Sequence, residues 1–186
     1  MAEWKKKRDI MRRYDVTAQI YDERYAQEQR AKIEVALGHV NVEDQDVLDV
    51  GCGTGLSFDY VVNKSRITVG LDVSRKTLLK AKERTKKHPN AHLILADADN
   101  MPMRDKTFTV IFAITVLQNM PNYANTLGEV KRVAQGDAII IITGLKKIFS
   151  RIKLQHLLKA AGLQALTFRN ENLNCHVAVC HITRNA

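Results

Sequence analysis

Hydrophobic positions along this chain change their period near residue 45. Before that point they recur at three- and four-residue steps: Ile10, Met11, Tyr14, Ala18, Tyr21 and Tyr25 mark one face of a helix. A second helical stretch runs to about Leu37, with Gly38 placed as its C-cap. Beyond it the apolar residues gather into short continuous runs, the pattern of strands buried on both faces. The runs are Val47–Val50, Ile67–Leu71, His92–Ala96, Phe108–Ile114 and Ala138–Thr143. Leu163–Phe168 and Asn174–Ile182 read as a terminal pair.

The segments between the runs carry helix signals. Ser74 is a good N-cap for a basic helix, because its hydroxyl accepts from a free backbone N–H in the first turn. Tyr123, Leu127, Val130 and Ala134 form the apolar stripe of another helix, which Gly136 is expected to end. A further helix around Ser150–Ala161 is closed by Gly162. The three prolines, Pro89, Pro102 and Pro121, all fall between periodic segments. Seven strands alternating with helices predict a doubly wound α/β fold with a mostly parallel seven-stranded sheet and N-terminal helices. Ligands of such sheets bind beyond the carboxyl ends of the strands, at the point where strand order reverses.

Composition adds three bounds. No apolar run approaches the ~20 residues that span a bilayer, and the basic N-terminus lacks the apolar core of a secretory signal, so a cytoplasmic protein without membrane contact is expected. The three cysteines, Cys52, Cys175 and Cys180, cannot all be bridged. Cys175 and Cys180 lie at odd spacing in one strand and so point to opposite faces. No cysteine pair has zinc-ligand spacing and the six histidines are scattered, so no metal is expected. The net charge of +9 is clustered at Lys5–Arg8 with Arg12 and Arg13, along residues 75–87, and at Lys146, Lys147, Arg151 and Lys153. Each cluster alone fits a solvated face; together they also fit RNA or another polyanion.

The candidate chemistry lies at the ends of the first three strands. Asp49-Val50-Gly51-Cys52-Gly53-Thr54-Gly55 places glycine at every second position, which allows a tight turn and close backbone approach to a ligand. A helix is expected directly after it, offering free N–H groups. The spacing is not the G-x-G-x-x-G of dinucleotide folds, since residue 56 is leucine, and no Gly-Lys-Ser/Thr follows as in a phosphate-binding loop. Asp72 stands about twenty residues past the first glycine, where a carboxylate in this topology accepts from ribose hydroxyls. Asp97, ending the third strand, is placed to accept from an exocyclic amine.

LDVGCGTG, GLDVS, ADADNMP, FTVIFAITVLQNMPN and KRVAQGD in series resemble the class I S-adenosylmethionine-dependent methyltransferases, in particular the group that includes the ubiquinone- and menaquinone-biosynthesis type. The resemblance runs from about Tyr14 to the last strand. It implies S-adenosylmethionine as cofactor. It assigns the loop of Gly51, Cys52, Gly53, Thr54 and Gly55 to the methionine moiety, with Asp49 holding its amino group. Asp72, with Val73 beside it, takes the ribose; Asp97 and Ala98 take the adenine; Thr115 lines the methionine and substrate side. Tyr14 and Tyr21 echo a YD-x-x-A-x-x-YD pattern, which makes residues 1–40 a helical lid within the same domain as a cofactor-binding catalytic part, 41–186. Core packing of the two tyrosines is the competing reading.

The methyl acceptor is open at this level. The Asn/Asp-Pro-Pro-aromatic loop of many amino-group methyltransferases is absent after the fourth strand. Gln118 and Asn119 stand where relatives often carry histidines, and either orient the acceptor or merely precede a helix capped at Asn122. No general base is identifiable. The expectation is a methyltransferase acting on RNA or an acidic substrate. The alternatives are a small-metabolite enzyme, or a cofactor-binding module or partner subunit that lacks activity of its own. An activating protein subunit is a further candidate partner.

Overall fold

In a computed structural model, residues 2–167 and 172–183 are described. Two helices open the chain, α1 (Ala2–Thr17) and α2 (Tyr21–Leu37), joined by a single 3-10 turn over Ala18–Ile20. The alternating part follows: β1 (Asp46–Val50), α3 (Phe58–Val61), β2 (Ile67–Asp72), α4 (Arg75–Thr85), β3 (Ala91–Leu95) and β4 (Phe108–Ala113). Then come α5 (Tyr123–Val133), β5 (Ala134–Leu145), α6 (Arg151–Ala160), β6 (Leu163–Thr167) and β7 (Cys175–Ile182). The far end of the sixth expected strand, Phe168, lies outside the described residues.

The seven strands form one sheet in the order β3-β2-β1-β4-β5-β7-β6. The first five are parallel, and β7 runs antiparallel between β5 and β6. Strand order reverses between β1 and β4, so a crevice opens beyond their carboxyl ends. Alternation along each central strand supplies both faces of the core. Leu48, Ile111, Ile140 and Ile142 pack on one face, and Val47, Val110, Phe112 and Ile141 on the other. Cys175 and Cys180 fall on opposite faces by the same rule, and Cys52, Cys175 and Cys180 are all free thiols. Burial raises the pKa of all three, that of Cys180 to about 12, which keeps them protonated and inert.

The cap residues act as their chemistry predicts. The side chains of Ser74, Asn122 and Ser150 accept from backbone N–H groups in the first turns of α4, α5 and α6. One local expectation fails. Gly136 does not end α5: the helix stops at Val133, and the chain enters β5 at Ala134. The N–H groups of Lys106 and Thr107 donate to the carbonyls of Arg132 and Val133 at 2.8 Å each, which draws that backbone into the sheet. The pairing then jumps from Phe108–Ala134 to Val110–Ile139, so Gly136 sits in an exposed bulge. The helix expected after the glycine loop is present but short. Gly55 and Phe58 N–H close successive turns onto Cys52 and Gly55 carbonyls, and α3 is a single turn.

The N-terminal helices are tied to α4. Asp15 of α1 accepts from the Ser74 hydroxyl at 2.7 Å and from Lys76 N–H at 3.2 Å, setting a carboxylate at the positive end of α4. Arg84 of α4 donates to Asp22 of α2 at 2.9 Å and to Asp59 of α3 at 2.6 Å. These contacts hold α1 and α2 across the carboxyl edge of the sheet.

Candidate functional site

Three adjoining hollows lie at that edge. The first encloses about 720 Å³ including its open mouth. Its walls are the residues that end β1, β2, β3 and β4, roofed by α1 and the start of α2. The second, about 1280 Å³ on the same measure, shares Tyr14, Tyr21 and Thr115 with the first and runs beneath α1 and α2. The third, about 380 Å³, reaches down to Asp49 and shares Tyr21, Gly51 and Gly53 with the first.

The glycine bend forms because two backbone amides, Gly51 N–H and Cys52 N–H, donate to the Leu71 carbonyl at 2.7 and 3.0 Å. This turns the chain sharply at the end of β1. Gly51 takes φ +69°, and a Cβ there would stand 2.7 Å from Val116 Cγ2. Asp72 is fixed beside the bend: it accepts from Gly53 N–H and from Ser74 N–H at 2.8 Å each. Burial raises the Asp72 carboxyl above its ordinary value, and the backbone donors restrain that rise. Asp49 is more extreme. Burial pushes its carboxyl up to about 7 against the hydrogen bond it accepts from the Ser57 hydroxyl, with the neighbouring Asp72 adding to the rise.

On the β3 side, Asp97 and Ala98 enter the first hollow with Lys7 of α1. The Lys7 ammonium sits 2.6 Å from Asp97 and 2.5 Å from Asp99. Burial alone would lower its pKa, and the two carboxylates more than reverse this, leaving it above its ordinary value. On the β4 side, Thr115 adopts φ +65°, a left-handed conformation that β-branched residues avoid. It is over-determined by its partners. Thr115 N–H donates to Thr143 Oγ1 at 2.7 Å, and its hydroxyl donates to Gln29 Oε1 at 3.1 Å while accepting from Lys32 Nζ at 3.2 Å. Asn119 continues the network, donating to the Tyr14 hydroxyl at 2.9 Å and to the Thr115 carbonyl at 3.0 Å, and accepting from Arg13 at 2.9 Å. Burial raises the pKa of Tyr14 and Tyr21, so both phenols stay protonated.

Most of the expected residues therefore meet. Tyr14, Tyr21, Gly51, Gly53 and Asp72 line the first hollow, together with Val73, Asp97, Ala98, Thr115 and Asn119. Asp49, Cys52 and Thr54 line the third. Two residues fall outside all three hollows. Gly55 is turned against α4, where an added Cβ would stand 3.1 Å from that of Ala81. Gln118 lines none of the three, and its buried amide makes no hydrogen bond among the described residues.

The methyltransferase domain model matches residues 48–142, half of the chain. The chain belongs to this methyltransferase domain family. It is 28% identical to the malonyl-[acyl-carrier protein] O-methyltransferase of Marinomonas sp. over 144 residues, 76% of this chain and 53% of that protein. The chain spans about half the length of the curated relatives it matches. Among solved structures, an S-adenosylmethionine-dependent methyltransferase from Aquifex aeolicus superposes with a TM-score of 0.73 at 21% identity, covering 83% of this chain and 93% of that one. A complex between the Haloferax volcanii Trm112 methyltransferase activator and a methyltransferase gives a TM-score of 0.80 at 14% identity, covering 92% and 98%. These two likenesses establish the fold.

Sequence reasoning missed several residues of this methyltransferase domain's crevice. Ile10, Leu71, Ala96, Ile114, Val116 and Met120 give it an apolar lining; all but Ile10 lie within the quoted motifs, but none was assigned to the site. Lys7 looked like one of a run of basic residues. Lys32 and Gln29 sit on α2, and only the Glu28/Lys32 spacing of four hinted that they share a helix face.

Proposed function

We propose that the first and third hollows bind S-adenosylmethionine and that the protein transfers its methyl group to an acidic acceptor. The observation that carries this reading is the convergence of the Gly51–Gly53 bend, Asp72 and Asp97 on one apolar crevice. Carboxylates set in an otherwise apolar wall suit a nucleoside, which offers a diol and an amine on a flat, weakly polar body. In this reading Asp72 accepts from the ribose hydroxyls and Asp97 from the adenine amine, with the Ala98 N–H facing the ring. Lys7 already engages Asp97, so the amine must share that carboxylate with the ammonium. Asp49, at the base of the third hollow, faces the amino group of the methionine end.

The cofactor supplies a methyl group made electrophilic by its sulfonium. The protein's part is then alignment and exclusion of water, which supplies roughly 7–11 kcal/mol of barrier reduction when geometry is right. Tyr14 and Tyr21, on the N-terminal helices, close the crevice from above, which makes residues 1–40 the lid of the 41–186 domain. Asn119 and Thr115 position the reacting groups through their shared network, and Gln118 has no part in it. Calorimetric titration with S-adenosylmethionine tests the reading. Binding by the intact protein and its loss in Asp72→Ala, with the variant still folded, are expected. No heat of binding from the folded wild type overturns it.

A second reading takes RNA as the acceptor. Its support is that α1 and α4, both rich in exposed lysine and arginine, pack against each other. Binding by charge contacts must weaken steeply with salt, so a flat salt response removes it. An activating subunit is proposed on the likeness to the archaeal complex with its activator. Three free thiols fit a reducing, cytoplasmic compartment, and no helix among the described residues is long and apolar enough to cross a membrane.

A further inference from the structure

We infer that the second hollow is the acceptor site and that it takes a planar aromatic acceptor bearing an ionised oxygen, held by the Lys32 ammonium. The inference rests on reading the first hollow as the cofactor site, because the two meet at Thr115 and an acceptor must reach that junction.

Three observations carry it. One wall is aromatic: the rings of Tyr14, Tyr21 and Tyr25 follow one another with centroids 6.0 and 5.1 Å apart and are tilted by 55° and 51°, so a flat ring can stack on one of them and meet the next at its edge. The lining is also unbalanced in charge, with Arg13, Lys32, Lys146 and Lys147 against Glu28. The third observation is Lys32 itself, whose side chain is 1% exposed. A buried ammonium is costly unless its donors are satisfied. Two of its three N–H donors have partners, Glu28 Oε1 at 2.8 Å and Thr115 Oγ1 at 3.2 Å. Glu28 is itself 36% exposed, so solvent can satisfy it when an acceptor oxygen takes its place beside Lys32.

Of the four lining cations only Lys32 is buried, and a buried cation beside Thr115 reads one anionic group, while Arg13, Lys146 and Lys147 are exposed and add a general attraction for acidic molecules. The position of Lys32 also removes the need for a general base. Its charge favours the ionised form of a phenol, whose proton leaves to solvent as the acceptor binds. The oxygen then donates its electron pair into a new O–CH₃ bond, and the CH₃–S bond breaks with its pair retained by sulfur. No proton remains to be removed in the transfer step.

Equilibrium binding of 4-nitrophenol, whose ionisation is seen in its visible absorbance, tests this without cofactor. The uncharged ether 4-nitroanisole is the matched control. The bound phenol should ionise at lower pH than the free one. Lys32→Met should weaken phenolate binding roughly tenfold or more, remove the shift and leave 4-nitroanisole unaffected. Tyr25→Ala, at a half-exposed ring, should weaken both probes, and it decides the aromatic wall if Lys32→Met does not fold. An unshifted ionisation in the wild type, equal affinity for phenolate and ether, or phenolate binding unaffected by Lys32→Met overturns the inference. S-adenosylmethionine calorimetry on the wild type separates the failures. Cofactor binding without probe binding sinks this inference alone; no cofactor binding sinks the reading beneath it.

Discussion

Replacing Asp49 by Asn should stabilise the folded protein at neutral and alkaline pH and not at pH 5. Asp49 is fully enclosed at the end of β1, and burial lifts its carboxyl from 3.8 to about 7. Between those values the unfolded chain has lost the proton while the folded chain keeps it. The folded state then binds more protons, so stability falls as pH rises through this window. A displacement of about three units corresponds to about 4 kcal/mol, reached above pH 7 where both states are ionised. Asp72, also raised by burial, acts in the same direction. In Asp49→Asn the charge is gone, and the Ser57 hydroxyl can still donate to the amide oxygen. The new amide N–H₂ faces the small third hollow and costs about 1–2 kcal/mol if poorly paired. The variant should therefore be about 2 kcal/mol more stable than wild type at pH 8 and no more stable at pH 5.

Urea unfolding of both proteins from pH 5 to 8 measures this. The difference between them is the proper readout, because His176 works against Asp49 in the wild-type profile. Burial lowers the His176 pKa, so its contribution is lost as pH falls through its ordinary value and stability there rises with pH. His176 is common to both proteins and cancels. A difference that is flat between pH 5 and 8, or that grows towards acid, refutes the argument that Asp49 is held protonated by burial.

The glycine bend offers a paired test by thermal melting. Gly51→Ala must both hold φ +69° and place a Cβ 2.7 Å from Val116, and should lose about 2–4 kcal/mol. Gly53→Ala has φ +56° but nothing within 4 Å of the new Cβ, and should lose only about 1–2 kcal/mol. Arg132 holds Glu129 and Asp105 as well as the Met101 and Met103 carbonyls, and Arg132→Met should cost about 2 kcal/mol in urea unfolding at pH 7. Its hydrogen bonds pull the Glu129 carboxyl below its ordinary value, so their contribution is present above about pH 4.5 and lost in acid. The deficit of the variant should shrink accordingly at pH 4.

What the sequence made legible was whatever depends on local periodicity and on residues with one structural use. The central strands read as unbroken apolar runs because parallel strands covered on both faces favour them, and the first four lie within a residue or two of the expected ends, whereas β5 begins at Ala134, four residues before the run that announced it. Ser74 and Gly162 are likewise residues whose local conformation settles their place. Gly136 misled because the same residue that suits a helix end also suits a bulge. The choice was made by pairing with Lys106 and Thr107, some thirty residues away along the chain. Lys7 and Lys32 were illegible for a related reason. A lysine on an amphipathic helix is a solvated charge by default, and only the docking of α1 and α2 over the sheet turns one toward Asp97 and Asp99 and encloses the other.

Three features that lower stability meet at the hollows, and their coincidence argues for function, whereas left-handed Asp44 and Lys106 and the unpaired buried amide of Gln118 lie outside them. Among the described residues, Asp49 is a buried carboxyl that pairs with no cation, Thr115 is a β-branched residue held at positive φ, and Lys32 is a buried ammonium with two partners for its three donors. Each works against folding by its own physics, and a chain selected for stability alone would replace them with asparagine, glycine and methionine. All three line the hollows around the Gly51–Gly53 bend. Elsewhere the sheet core is ordinary packing of Ile, Val, Leu and Phe. Ligands that bring an ammonium to Asp49 and an anionic oxygen to Lys32 would satisfy both groups at once. The unliganded protein should accordingly gain more stability from binding both together than from the sum of each alone, provided that Thr115, which touches both hollows, is the residue through which they couple.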